Sequence, residues 1–202
     1  MLKPAETSYD VHPLIQQRWS PRALADTPIE PWKLCALLEA ARWSPSSYNE
    51  QPWRFVVGTQ PGADASLNTL RTLLLPGNDW AQRAPMLVLA LAKRTFTQTG
   101  EVNRHAWHDV GIAMAAMAFQ AQALGLFTHM MAGFEAKRAV VELALPPEYE
   151  PVSMMAVGYY GDPGQLSQVW QQEAEHAPRV RKPLQELVFS GYWGQAYSPC
   201  HS

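Results

Sequence analysis

The sequence predicts one domain over residues 1–202 that mixes helices and strands, in the α/β or α+β class. Three observations carry that reading. Segments with helical apolar spacing alternate with short, strongly apolar runs. One run, MLVLALA at 86–92, contains no polar residue, as a central strand covered on both faces requires. No repeat, low-complexity stretch or linker divides the 202 residues, a length that buries a core without metal or disulfide staples.

From Pro31 to about Trp43, the residues Leu34, Leu37, Leu38 and Ala41 fall at i, i+3, i+4 and i+7, one face of a helix. Pro31 takes a favoured first-turn position and Pro45 stops the helix. A loop follows, SPSSYNEQP at 44–52, and then WRFVVG at 53–58 reads as a buried strand. A helix is expected around 63–75, ended by Pro76 and Gly77. After the strand at 86–92 comes a long apolar helix at 105–124, closed by Gly125 as a left-handed cap. LFTHMMA at 126–132 is a further strand, and a short helix from Glu135 to Leu145 is halted by Pro146 and Pro147. VSMMAVGYY at 152–160 is the last core strand.

Charged residues make up 17% of the chain, against about 25% in an ordinary soluble domain, so part of the surface is expected to be buried against another copy. A net charge of -2 argues against a nucleic-acid partner. Cys35 and Cys200 make no disulfide framework, and MLKPAETSYD carries no apolar signal region, so a cytoplasmic location is expected. The uncharged stretch 110–127 is rich in Ala and Gly and carries Gln120 and Gln122; it reads as a buried helix and not a membrane span.

Familiar catalytic motifs are missing: there is no CxxC pair, G-x-S-x-G elbow, HExxH or Walker loop. His105, His108 and Asp109 have helical spacing for a metal site, but such trios are common by chance and no metal is expected. Gly158, Gly161 and Gly164 read as a turn after a strand, not a dinucleotide fingerprint. The basic residues are more informative. Arg18 and Arg22 lie in RWSPR, and Arg179, Arg181 and Lys182 lie in RVRKP. Chain ends of a compact domain often lie close together, so both clusters could hold one dianionic phosphate through planar, bidentate guanidinium groups. Two solvated basic patches are the plainer reading, and the residues alone favour it. The loop at 45–53 offers short polar side chains that either satisfy its own turns or meet a ligand with many polar edges.

RWSPR followed by a helix, then EAARWSPSSYNEQPWRFVV, resembles the signature of the nitroreductase-like FMN-dependent oxidoreductases. QRAPMLVLALA, HDVGIAMAAMAFQAQALGL and RVRKPLQELV resemble further family segments in the same order, so the likeness covers most of residues 14–189. It implies an α+β nitroreductase-like fold, a mostly antiparallel central sheet flanked by helices, in an interlocked homodimer with FMN at the subunit interface. By motif, Arg18 and Ser20 would hold the phosphate and ribityl end with Arg179 and Arg181, with Trp19 in the same run, and Arg22 would face the pyrimidine edge. Pro45, Ser46, Ser47, Asn49 and Gln51 would contact the flavin of the other subunit, and Met131, Ala132 and Gly133 would bring backbone against its ring. Asn78 is a further candidate contact. The sequence departs from the family at Trp19, where an Arg or His is common, at Pro21, and at Ala132, where many members have Gly.

The implied activity is hydride transfer from NAD(P)H through flavin N5 to a nitroaromatic, quinone, enone or similar acceptor, by ping-pong kinetics and without a catalytic side chain. Residues 95–107 would form the lid over the acceptor, with Arg104 and Trp107 as candidate contacts. An FMN-binding carrier or sensor without NAD(P)H turnover is the alternative, and a cofactor-free interaction module is a third reading.

Overall fold

The structure, a computed structural model, describes residues 3–60 and 65–198. Cys200 and the first residues of the expected helix at 63–75 lie outside the described residues. Six helices and four strands are described: α1 (Pro13–Gln17), α2 (Pro31–Arg42), β1 (Trp53–Thr59), α3 (Ala65–Thr72), β2 (Met86–Lys93), α4 (Ala106–Ala123), β3 (Phe127–Met131), α5 (Ala136–Glu142), β4 (Tyr149–Gly158) and α6 (Val169–His176). The strands form one sheet in the order β1-β2-β4-β3, and every pair is antiparallel. This is the α+β arrangement of antiparallel sheet and flanking helices.

Because side chains alternate across a strand, β2 serves two cores at once. Met86, Val88, Ala90 and Ala92 face Leu37 and Ala41 of α2 and Val110, Ala113 and Met117 of α4. Leu87, Leu89 and Leu91 face Leu67 and Leu70 of α3, Trp80, and Ala139 of α5. That double burial is why β2 reads as an unbroken apolar run. At Gly58 the chain needs glycine for a different reason: a Cβ there would lie 2.4 Å from Leu67 Cα, so β1 and α3 touch backbone to backbone. Gly125 closes α4 with φ +73°, the left-handed cap expected from the sequence.

Several elements differ from the sequence reading. The helix expected to reach residue 75 stops at Thr72, and Pro76–Arg83 forms a 3-10 segment that buries Trp80 and Ala81. β4 starts at Tyr149, not at 152. Pro151 cannot donate to the ladder, and the register accordingly shifts here, leaving Val152 without a partner between Pro151 and Ser153. The short α1 and the eight-residue α6 have no counterpart in the sequence reading. The buried positions of α6 are Gln171 and Glu175, so it has no apolar stripe to announce it. Among the described residues, no helix is long and apolar enough to cross a membrane.

Candidate functional site

The N-terminal segment meets the RVRKP segment. Arg179 donates from one Nη1 to the carbonyls of Lys3 (3.0 Å) and Gln16 (2.8 Å), which binds the RVRKP segment to the residues just before RWSPR. Lys3 in turn donates to the last carbonyls of α6, Ala174 (3.0 Å) and Glu175 (2.9 Å). The two basic clusters therefore converge. Burial lowers the pKa of Arg18, and the nearby Arg181 guanidinium lowers it further. Arg179 is lowered in the same way, by burial and then by Arg18 and Arg181. Among the described residues, none of these three arginines makes an ion pair with a carboxylate. Arg18 donates to Ser20 Oγ at 3.2 Å, so a hydroxyl stands with the charges.

Arg22 has anchors of its own. Its backbone N–H donates to Glu175 Oε1 at 2.7 Å, and its guanidinium lies over the Trp170 ring at 5.0 Å. Both anchors come from α6, the helix that sequence periodicity does not show. Trp19 does not present its ring to the arginine basin: it is buried against Phe127 and Tyr160, so contact with a ligand there falls to its backbone. Beneath the run lies His129 of β3, whose Nδ1 is 3.0 Å from the Pro21 carbonyl and whose ring packs on Trp80. Burial pushes its pKa down to about 4, and Arg22 and Arg18 act in the same direction, so a neutral imidazole donates to the carbonyl.

Gly133 follows β3, and its carbonyl accepts from Asn78 Nδ2 (2.8 Å) and from the Leu75 N–H (3.2 Å). A Cβ at 133 would stand 2.7 Å from that amide nitrogen, which gives Gly133 a packing reason to be glycine. Asn78 thus spends one donor on this backbone. Met131 turns its side chain into the core while Ala132 is exposed, so this stretch offers mainly backbone and one methyl group to its surroundings.

The second group of expected residues sits on the loop between α2 and β1. Tyr48, Asn49 and Gln51 have φ of 52°, 54° and 51°, unusual for residues with a Cβ. Four hydrogen bonds hold this geometry. Gln51 N–H donates to Ser46 Oγ at 3.0 Å, and the Gln51 amide reaches Asn49 O and Oδ1, both at 3.2 Å. Ser47 N–H donates to Oδ2 of the buried Asp109 at 2.9 Å, while His108 Nδ1 pairs with the other carboxylate oxygen at 2.9 Å. Pro45, Ser46 and Ser47 line a recess of about 280 Å³ with His105, His108 and Ile112. Glu50, whose side chain is buried, receives Lys93 (3.4 Å) and the Thr97 N–H (3.0 Å). Burial works against its charge, yet these partners hold Glu50 below the ordinary carboxylate range. Among the described residues, no hydrogen bond, ion pair or ring contact joins this loop to the arginine basin. Of the expected lid residues, Trp107 donates to Glu150 and Arg104 is exposed.

Sequence reasoning missed Lys3, Asp79, Asp109 in its loop-holding role, His129, Gln171 and Glu175. Each acts by hydrogen-bonding another segment's backbone or polar side chain, and single-sequence periodicity carries no signal for that.

Known proteins share the sequence pattern and the fold of this chain. A model described as the nitroreductase family matches residues 15–70 and 58–159. A 15.4 kDa protein from the ask 5' region of Mycolicibacterium smegmatis is 33% identical over 147 residues, 70% of this chain and 97% of that protein. An NADH dehydrogenase of Thermus thermophilus is 26% identical, over 85% of this chain and 91% of its own. The crystal structure of an FMN-containing oxidoreductase superposes with a TM-score of 0.88 at 31% identity, covering 95% of this chain and 96% of that one.

Proposed function

Because this chain belongs to the nitroreductase family, we propose that it is a cytoplasmic FMN-dependent oxidoreductase that passes hydride from NAD(P)H to an electron-poor small molecule. The observation that carries this reading is the meeting of Arg18, Arg179 and Arg181 without a carboxylate partner among the described residues. Burial and neighbouring guanidinium charge lower the pKa of Arg18 and Arg179, with Arg181 acting on both, and a phosphate monoester matches the three groups in charge and in bidentate geometry. The FMN of the similar oxidoreductase has such a group.

The chemistry that FMN supplies when bound is two-electron hydride exchange between a reduced nicotinamide and an acceptor. Arg18, Arg179, Arg181 and Ser20 would hold the phosphate end. Arg22, fixed by Glu175 and Trp170, would set a positive charge at the pyrimidine edge, where it favours the reduced form. Backbone at 131–133, stiffened through Asn78, would border the ring. Pro45, Ser46, Ser47, Asn49 and Gln51 would contact it from a second copy. A homodimer is supported by two features: among the described residues no hydrogen bond, ion pair or ring contact joins the loop to the arginine basin, and α4 keeps Ile112, Ala115, Ala116 and Phe119 half-buried. No side chain is required as nucleophile or base.

An absorbance spectrum of the purified protein, taken before and after anaerobic addition of NADPH or NADH, tests the proposal. Flavin bands that bleach support it. Absence of bands after incubation with FMN defeats it, and bands unaffected by either nucleotide defeat the NAD(P)H-dependent part.

A further inference from the structure

The loop carrying Asn49 faces a small hairpin between β2 and α4, and the two enclose a cleft of about 570 Å³. The hairpin is well defined. Thr95 bridges Val102, the Phe96 N–H donates to the Glu101 carbonyl at 2.8 Å, and Gly100 turns the chain at φ +73°. Glu50 ties loop and hairpin together: both its oxygens accept the Thr97 N–H at 3.0 Å, and Thr97 Oγ1 donates to it at 2.5 Å. Lys93 neutralises that carboxylate. Above this tie Tyr48 meets Phe96 edge to face, with ring centroids 5.8 Å apart and planes at 88°. Tyr48 is 92% exposed in a left-handed conformation, a backbone state that persists only where its surroundings enforce it. Strain of that kind clusters at ligand clamps.

The cleft therefore has two aromatic rings, the amides of Asn49 and Gln98, and two carboxylates. Only one carboxylate is uncompensated, since Glu50 has Lys93 while Glu101 makes no ion pair among the described residues. Resting on the oxidoreductase reading above, we propose that this cleft is the acceptor subsite and that it selects planar aromatic acceptors that are neutral or cationic, with Glu101 discriminating against anionic rings. Phe96 and Tyr48 offer ring faces and edges for stacking, and the two amides donate to nitro or carbonyl oxygens. Glu101 then adds attraction for a cationic substituent and repulsion for a carboxylate or sulfonate. Its charge is solvent-exposed and partly screened, so discrimination is expected to be moderate and to weaken with salt.

The test uses the full chain loaded with FMN and two acceptors that share one ring, 4-nitrobenzyltrimethylammonium and 4-nitrobenzoate. The two rings differ in intrinsic reducibility, so the decisive quantity is the ratio of their kcat/KM values in wild type relative to Glu101→Gln. That ratio should fall by roughly three- to tenfold in the variant, mainly through KM, and Glu101→Lys should reverse the preference. A ratio within twofold of wild type in both variants overturns the proposal. A second readout is independent of turnover: in FMN-free protein, redox-inert benzyltrimethylammonium should shift the amide resonances of residues 97–101 at lower concentration than benzoate does. Equal or absent shifts there count against the cleft even if the enzyme is active. Failure of NAD(P)H to reduce the bound flavin defeats the function proposed above, while the chemical-shift titration still decides the charge preference of the cleft.

Discussion

Helices α4 and α6 are buried by opposite means. α4 places Val110, Ala113, Met114, Met117 and Ala121 against the sheet and α2, and apart from Asp109 in its first turn its buried residues are apolar. α6 buries Gln171 and Glu175, which are 0% and 1% exposed, and uses them as hydrogen-bonding arms. Gln171 donates to Asp79 at 2.8 Å, and Glu175 accepts the backbone N–H of Arg22. Apolar burial is strong and non-directional. Buried hydrogen bonds add little net stability but tolerate few geometries, so they fix position. The sheet and α4 hold the molecule together; α6, His129, Asp109 and Glu50 fix where the site's backbone lies.

The sharpest way to break that division is to damage the apolar layer alone. Leu89→Ala, on the central strand and fully buried, should cost about 2–5 kcal/mol in chemical denaturation. FMN affinity measured well below the melting temperature should stay within about twofold. A parallel loss of affinity would show that sheet packing also positions the site.

Acid should act on the polar layer instead. His129 has its pKa depressed from 6.5 to about 4 by burial in the folded chain. Above pH 6.5 it is neutral in both states and contributes nothing to pH dependence. As pH falls from 6.5 toward 4 the unfolded chain takes up the proton first, so native stability drops by on the order of 3 kcal/mol across that window. Arg18 and Arg22 face the same imidazole and stay charged throughout. Denaturation midpoints between pH 7 and pH 4 should reveal the drop, and His129→Asn, which keeps a donor for the Pro21 carbonyl but does not titrate, should flatten it. An equal slope in the variant would assign the loss to other groups.

The same division explains what could be read from the sequence. β2, α4, its Gly125 cap and the termination of α2 follow from hydrophobic period, proline and glycine, all local signals. The 3-10 segment at Pro76–Arg83 and α6 did not show, because each is held by partners far along the chain: Asp79 by Ser167 and Gln171, and α6 by Lys3 and Arg22. The expected strand began at Val152, yet β4 starts at Tyr149 and runs through Pro151 by way of a bulge. At the candidate site, residue types were legible as motifs and the convergence of the chain ends as a geometric possibility. The buried Trp19 ring, the Trp170 stack on Arg22 and the neutral His129 all depend on packing that no single segment encodes.

A ligand-level prediction separates the arginine basin from both layers. Arg18→Ala should weaken FMN binding by about 1.5–3 kcal/mol, since a charge-assisted contact to phosphate is lost. Folding should change little, because Arg18 is half-buried among like charges whose repulsion the substitution relieves. Equilibrium dialysis together with a melting curve reads both quantities, and unchanged affinity would remove Arg18 from the phosphate end.

The smallest effect tests positioning most directly. Gln171→Leu deletes one donor to Asp79, which retains Ser167 Oγ (2.8 Å) and the Trp80 N–H (2.8 Å). Burial opposes the Asp79 charge, and the donors, Gln171 first among them, are what hold its pKa below the ordinary range. Losing one of three should cost about 1 kcal/mol of stability, partly offset by the apolar side chain that replaces the amide. If α6 only fills space, that is the whole effect. If it positions Arg22, the variant should also lower the midpoint potential of bound FMN, because a guanidinium displaced from the pyrimidine edge stabilises the reduced form less. A potential unmoved in Gln171→Leu but lowered in Arg22→Ala would leave the charge its role and deny α6 the task of placing it.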